Sequence, residues 1–217
     1  PRRLKAVETT FFSPRGLRRF RSAYLTGRAK RTQVLKPRSQ VNVTPLVKKF
    51  ALKFRGSSLQ TVKRIVNAIS SFQMIDVGLS VAQKLYSQRT AHDIIHSRKI
   101  PTYTNFGGDP LLGCADMAIA LSAVLKAKGI NSMLYRFPLR GGGMHTQVIF
   151  ELDGQRYLAD PFPSARKKVK PLSESKFQAI LASVERGRAS VGRDLWSMGI
   201  KSFEDFLKAD EAEEKLY

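Results

Sequence analysis

Residues 145–162, "HTQVIFELDGQRYLADPF", decide how this chain is read. Polarity alternates on both sides of Asp153-Gly154, and an Asp-Gly pair supplies the positive φ angles of a two-residue type I′ turn. The stretch is therefore predicted to be a β-hairpin. With Asp153 and Gly154 as the loop, Leu152 pairs with Gln155, so facing positions sum to 307 and position 160 lies opposite 147. Residues opposed across a ladder share a face, as do residues two apart on one strand. His145, Gln147 and Asp160 thus fall on one face, with His145 diagonal to Asp160. Diagonal neighbours lie about 7–8 Å apart, a gap that a ring and a carboxylate can bridge. A carboxylate there can fix the imidazole tautomer and stabilise its cation. Glu151 faces Arg156 in the same register, whereas a one-residue slip would turn Asp160 to the other face.

Upstream, "LLGCADMAIALSAVLKAKGI" at 111–130 reads as a helix that Gly129 stops. Met117, Ala118, Leu121, Val124 and Leu125 form its expected buried stripe. Cys114, the only cysteine, stands where this helix begins. Two readings compete for it. A lone cysteine at a helix start is often a small packing residue. A thiolate there is also favoured by the helix dipole, and a neighbouring imidazolium favours it further. Asp116, in the first turn, is expected to interact with the same dipole.

Around this centre, Ser57 or Ser58 can cap a helix carrying Val62, Ile65, Val66, Ile69 and Phe72 at close to a 3.6-residue period. Helical segments are expected over about 76–87, from Thr90, over 173–184 and over 202–217. Residues 100–112 read as an irregular connection, 130–137 as a strand, and 138–144 as a glycine-rich loop that could gate His145 at 141–143.

Charge divides the chain. Lys and Arg number 38 against 17 acids, a net +21. Residues 1–55 hold 16 Lys or Arg against one acid, Glu8, while the other 162 residues hold 22 against 16. This first segment interleaves Arg and Lys with Phe11, Phe12, Phe20 and Tyr24, and is broken by Pro and Gly, with room for a short helix near 17–25. Such composition suits phosphate contact and base stacking, an acidic protein surface, or an anionic lipid surface, though its apolar face is weak for an anchor. It can also meet the acidic end, where residues 203–217 hold six acids. Three divisions are expected: a basic arm at 1–55, a core at 56–172, and a C-terminal helical segment at 173–217. A hydrophobic content of 42% suffices for a core. One cysteine, no secretory leader pattern and no long apolar run point to a cytoplasmic or intracellular protein.

The order of the pieces resembles the transglutaminase-like superfamily, a branch of the papain-like cysteine fold. The resemblance rests on Gly113-Cys114-Ala115-Asp116 opening a hydrophobic helix, on Gly129-Ile130 closing it, and on His145 opening the next hairpin. Tyr157 followed by Asp160-Pro161 completes it. It spans about residues 57–165 and is clearest over 112–162. It implies an α+β papain-like core, with N-terminal helices packed on an antiparallel sheet. It further implies thiol acyl transfer on protein or peptide amides through a Cys114–His145–Asp160 triad, most simply as a protease or amidase, or, with an amine as acceptor, as a transglutaminase-type acyltransferase. The implied oxyanion hole takes the Cys114 N–H and a donor near 105–108, where this chain departs from the family's compact loop. Some members have lost catalysis and act as scaffolds. The alternative is thus a non-enzymatic module that binds nucleic acid or an acidic protein assembly through residues 1–55.

No cofactor-binding motif is expected. His92 and His96, spaced i, i+4, with Cys114 and His145 would be the donors of a rival zinc site, but metal signatures ordinarily supply more Cys or a closer acid. No metal is therefore expected.

Overall fold

In the computed structural model, residues 39–205 are described apart from 87, 105–109, 112, 140–142, 166–167 and 203. The chain divides into Pro1–Pro37 and Arg38–Tyr217, and every described residue belongs to the second unit. Residues 1–38 of the basic arm, with the expected helix at 17–25, lie outside the described residues, as do 206–217 of the acidic end.

The architecture is α+β. Its first helix, α1 (Pro45–Ala51), starts with proline in the first turn behind the Thr44 cap, whose side chain accepts from the Val47 N–H. Val47, Phe50 and Ala51 are buried in the main core, so residues 39–55 combine a basic surface with an apolar contribution to that core. Helix α2 (Leu59–Ser70) is capped by Ser58, and its Val62, Ile65, Val66 and Ile69 are buried, as the helical period predicts. The expected single helix at 76–87 is instead a strand, β1 (Gln73–Asp76), then a short helix, α3 (Leu79–Leu85). Gly78, at φ +73°, makes the turn between them.

Helix α4 (Ala91–Ser97) opens on a capping box between Thr90 and Asp93. The segment expected to be irregular contains β2 (Lys99–Thr104) and β3 (Pro110–Leu111). Strand β2 runs parallel to β1 and antiparallel to β3. Pro101 disguises β2, because a proline lacks the ladder donor and marks edges or irregular segments.

Helix α5 (Cys114–Ala127) is the hub. The sequence shows a stripe, yet every residue from Ala115 to Leu125 is buried. The cause is two-sided packing: α1, α2 and α4 press on α5, as do β4 (Ser132–Pro138) and β5 (Met144–Leu152). Its C-terminus closes as predicted, with Gly129 at φ +76° and the Ile130 N–H donating to Leu125 at 2.9 Å.

The larger sheet continues through β6 (Gln155–Ala159), β7 (Val169–Pro171) and β8 (Ser190–Gly192), in the order β7-β6-β5-β4-β8, antiparallel throughout. Helix α6 (Glu174–Glu185) precedes β8. The hairpin is as predicted: Asp153 and Gly154 have φ +51° and +74°, and Leu152 pairs with Gln155, Glu151 with Arg156. Leu134, Val148, Phe150 and Ala159 join the core around α5. Pleat alternation then turns His145 and Gln147 to the opposite face, where the Arg156 guanidinium lies 4.2 Å from the Phe177 ring of α6.

A buried carboxylate closes the fold. Asp194 accepts from the Ser39 hydroxyl at 2.5 Å, from the Gln40 N–H at 3.1 Å and from the Ser197 N–H at 2.8 Å. Residues 39–40 are thereby fastened to the C-terminal part of the same unit.

Candidate active site

The tip of α5 is placed by its glycine. A Cβ on Gly113 would stand 3.0 Å from Ile100 and 3.3 Å from Thr102, so a larger residue would push the helix away from β2. Cys114 follows directly, half-buried, with its Sγ 4.0 Å from the Met144 carbonyl at the start of β5. The next residue on that strand is His145.

His145 and Asp160 meet as the hairpin register predicts. Nε2 of His145 lies 2.7 Å from Asp160 Oδ2. Asp160 sits one residue past β6, where its Oδ1 also accepts the Phe162 N–H at 3.0 Å. The Gln147 side-chain amide donates to Oδ2 at 2.8 Å. The imidazole is further fixed edge-on between Phe137 and Phe162, with ring centroids 5.7 and 5.9 Å away at 88° and 83°. With Nε2 committed to Asp160, Nδ1 is the ring nitrogen left for Cys114.

Electrostatics follow from these contacts. Burial works against the His145 cation, but hydrogen bonds with Asp160 and Cys114 outweigh it, and His145 is pushed up to about 10. Burial also works against the Asp160 anion, yet His145, Gln147 and the Phe162 N–H hold its carboxyl below the usual range. A buried imidazolium–carboxylate pair beside a thiol is the outcome.

Asp116 stands in the first turn of α5, as expected, and takes a further task there. It is buried and paired with Arg89 at 2.6 Å. Arg89 also bonds the Ser97 hydroxyl at 2.8 Å, so the first turn of α5 is tethered to the end of α4. Burial pushes Asp116 up to about 6 despite Arg89. Nearby, Tyr86 and Arg136 are buried and hydrogen-bonded to each other; burial raises the Tyr86 phenol, with Arg136 pulling the other way.

Sequence reasoning placed Gln147 on the right face without assigning it a task. It missed Phe137, Phe162 and Arg89. Phe137 pairs directly with His145 across β4 and β5. That register was not readable, because the glycine-rich connection, unlike Asp153-Gly154, does not specify a loop length.

An open cleft of about 680 Å³ lies on the His145 face of the sheet. Tyr135, Phe137, Leu158, Phe162 and Ile180 give it an apolar lining, with Lys170 and Lys176 adding positive charge. The expected oxyanion donor at 105–108 lies outside the described residues, as do Gly141 and Gly142 of the expected gate; Gly143 accepts from the Leu139 N–H at 2.9 Å. Among the described residues no group of three or more His, Cys, Asp or Glu side chains could hold a metal. The two histidines of the rival zinc set stack on each other at 6.1 Å, and His92 Nδ1 lies 3.2 Å from the Thr44 hydroxyl. Among the described residues no helix is long and apolar enough to cross a membrane.

No known family profile matches the chain, and no curated protein matches it. Among solved structures it is similar to a "Putative Cysteine Protease" from Cytophaga hutchinsonii, at 16% identity and a TM-score of 0.42. That similarity covers 71% of this chain and 50% of that one. The chain thus spans about half the length of the structure it matches.

Proposed function

We propose that this chain is a transglutaminase-like, papain-like cysteine enzyme, most simply a hydrolase of protein or peptide amides, with Cys114, His145 and Asp160 as its catalytic residues. One observation carries the reading: the His145 Nε2 contact to Asp160 at 2.7 Å leaves Nδ1 toward Cys114 at the mouth of a buried helix. The Cys114 thiolate attacks the amide carbonyl carbon. Negative charge then develops on the carbonyl oxygen, and the Cys114 backbone N–H, at the start of α5 and free of an intrahelical acceptor, is the donor this chain offers it. His145 gives its Nδ1 proton to the amide nitrogen as the C–N bond breaks, leaving a thioester. It then takes a proton from water, which attacks the thioester carbonyl; the C–S bond breaks, the acid is freed and Cys114 leaves as the thiolate beside the reprotonated His145. Asp160 keeps the ring oriented and stabilises its cation in both halves. We place a basic arm at 1–55 whose α1 packs into the core, the core proper at 56–172, a C-terminal segment at 173–217 and a cytoplasmic setting.

The test is alkylation of the full chain by iodoacetamide across pH 5–9. Cys114 is expected to react near pH 6 far faster than an ordinary cysteine, and His145→Ala is expected to abolish that advantage. A slow, ordinary profile overturns the enzyme reading.

A second reading is favoured by one observation: no acid occurs from residue 9 to residue 75. Lys48, Lys49, Lys53, Arg55, Lys63 and Arg64 are all exposed there. On this reading the scaffold holds nucleic acid or an acidic protein assembly. Salt-sensitive binding to DNA or RNA that survives Cys114→Ser but is lost on removal of residues 1–37, which leaves α1 in the core, would support it.

A further inference from the structure

The cleft beside His145 has a side, and the side has chemical meaning. His145, Gln147 and Asp160 all line it, whereas Cys114 does not. In an amide cleaved by thiol attack, the acyl half becomes bonded to the cysteine sulfur. The other half departs as an amine and takes its proton from the histidine. A cleft reached from His145 and not from Cys114 therefore suits the departing half.

Its lining says what that half carries. Tyr135 and Phe137 stack at 4.8 Å and 19°, and with Leu158, Phe162 and Ile180 they offer room for a large apolar side chain. Lys170 reaches the same face because it pairs with Leu158 across β6 and β7, and Lys176 comes from α6. Among the described residues Asp160 is the only carboxylate in the lining, and His145, Gln147 and the Phe162 N–H already occupy it. Glu174, at the start of α6, is bound by Arg156 at 2.7 Å and by Gln178 at 2.7 Å. Positive charge is thus the unspent charge of this cleft.

We propose that the cleft receives the leaving-side half of a peptide substrate and selects a large apolar residue followed by acidic ones. This rests on the cysteine-enzyme reading. In the step itself the C–S bond of the thioester forms, the C–N bond breaks, and the departing nitrogen leaves with the proton from His145.

The test uses the full chain with Cys114→Ala, so that nothing is turned over. Two free-amine peptides, Phe-Asp-Glu-Ala-Gly and Phe-Lys-Lys-Ala-Gly, each with a C-terminal fluorophore, are titrated by anisotropy at low salt. Because any chain this basic attracts acidic peptides, two charge reversals are compared: Lys170→Glu with Lys176→Glu, and Lys48→Glu with Lys49→Glu on α1. The acidic peptide is expected to bind at least about tenfold more tightly than the basic one. About tenfold is expected to be lost with the first reversal, and little with the second. Equal losses in the two reversals, or equal binding of the two peptides, overturn the proposal. Iodoacetamide kinetics on the unaltered chain separate the two failures. Fast alkylation without peptide selection sinks the cleft alone, and ordinary alkylation sinks the enzyme reading and the leaving-side assignment with it.

Discussion

Two buried carboxylates stand near the tip of α5, each against one cation at almost the same distance. Asp160 meets His145 at 2.7 Å and Asp116 meets Arg89 at 2.6 Å. Their surroundings push them in opposite directions. Asp116, with Arg89 as the donor that relieves its burial, is pushed up to about 6. Asp160 collects a ring N–H, a side-chain amide and a backbone N–H, and is held below the usual range although it too is buried. Burial is the largest influence on both and raises the carboxyl; at Asp160 the His145 contact, joined by Gln147 and the Phe162 N–H, outweighs it, whereas at Asp116 Arg89 does not. A carboxylate kept charged by three donors suits stabilising an imidazolium through a reaction. A carboxylate held by one guanidinium suits fastening a helix.

The largest expected effects fall on the Asp160 side. His145→Ala should lower the iodoacetamide rate at pH 6 by on the order of a hundredfold, since an ordinary cysteine is only about 0.3% thiolate there. Asp160→Asn should lower amide turnover by on the order of a thousandfold, because the amide can orient the ring but cannot balance its charge. If Asp160→Asn leaves turnover within a fewfold of the parent, the contrast between the two carboxylates collapses.

On the Asp116 side the effect should appear in stability. Arg89→Met leaves Asp116 buried without its cation, a change that costs about 3–5 kcal/mol when the orphaned charge cannot escape. Here it can escape by protonation, so urea unfolding should show a smaller loss at pH 5 than at pH 8. The pH dependence of stability sharpens the contrast. Asp116 is raised above its usual 3.8, so its contribution is present below 3.8 and lost as pH climbs to about 6. Asp160 is lowered, so its contribution is present above 3.8 and lost in stronger acid. His145 is raised from 6.5, so its contribution is full below 6.5 and lost as pH rises toward about 10. Relative to the parent, Asp116→Asn should therefore gain stability between pH 4 and 6, whereas the deficit of Asp160→Asn should grow as pH rises out of acid. Parallel curves for the two variants would break the comparison.

The same two sites differ in how far the sequence disclosed them. The His145–Asp160 pair was legible because a two-residue Asp-Gly turn sets the register, and register fixes faces. Gln147 came with it as a bystander. The Arg89–Asp116 pair was not legible, because Arg89 reaches α5 from a loop 27 positions away in sequence and no period or turn encodes that approach. The strand hidden in 100–112 was masked by Pro101, and β1 by an adjoining helix. The all-round burial of α5 was underestimated since a stripe reports one partner, while helices on one side and a sheet on the other bury the rest. Local rules reach as far as a tight turn carries them, and packing between distant segments begins where they stop.

The smallest expected effect tests the donor argument itself. Gln147→Leu removes one of the three donors to Asp160 and leaves His145 and the Phe162 N–H in place. A single hydrogen bond to a charged acceptor contributes about 1.5–3 kcal/mol, and the remaining donors and water should recover part of it. Turnover near pH 7 should fall by no more than about tenfold. The acidic limb of the pH–rate profile should move upward, because Asp160 is then easier to protonate. A variant with that limb unmoved would mean that Gln147 only fills space, and that the charge of Asp160 rests on His145 and the backbone alone.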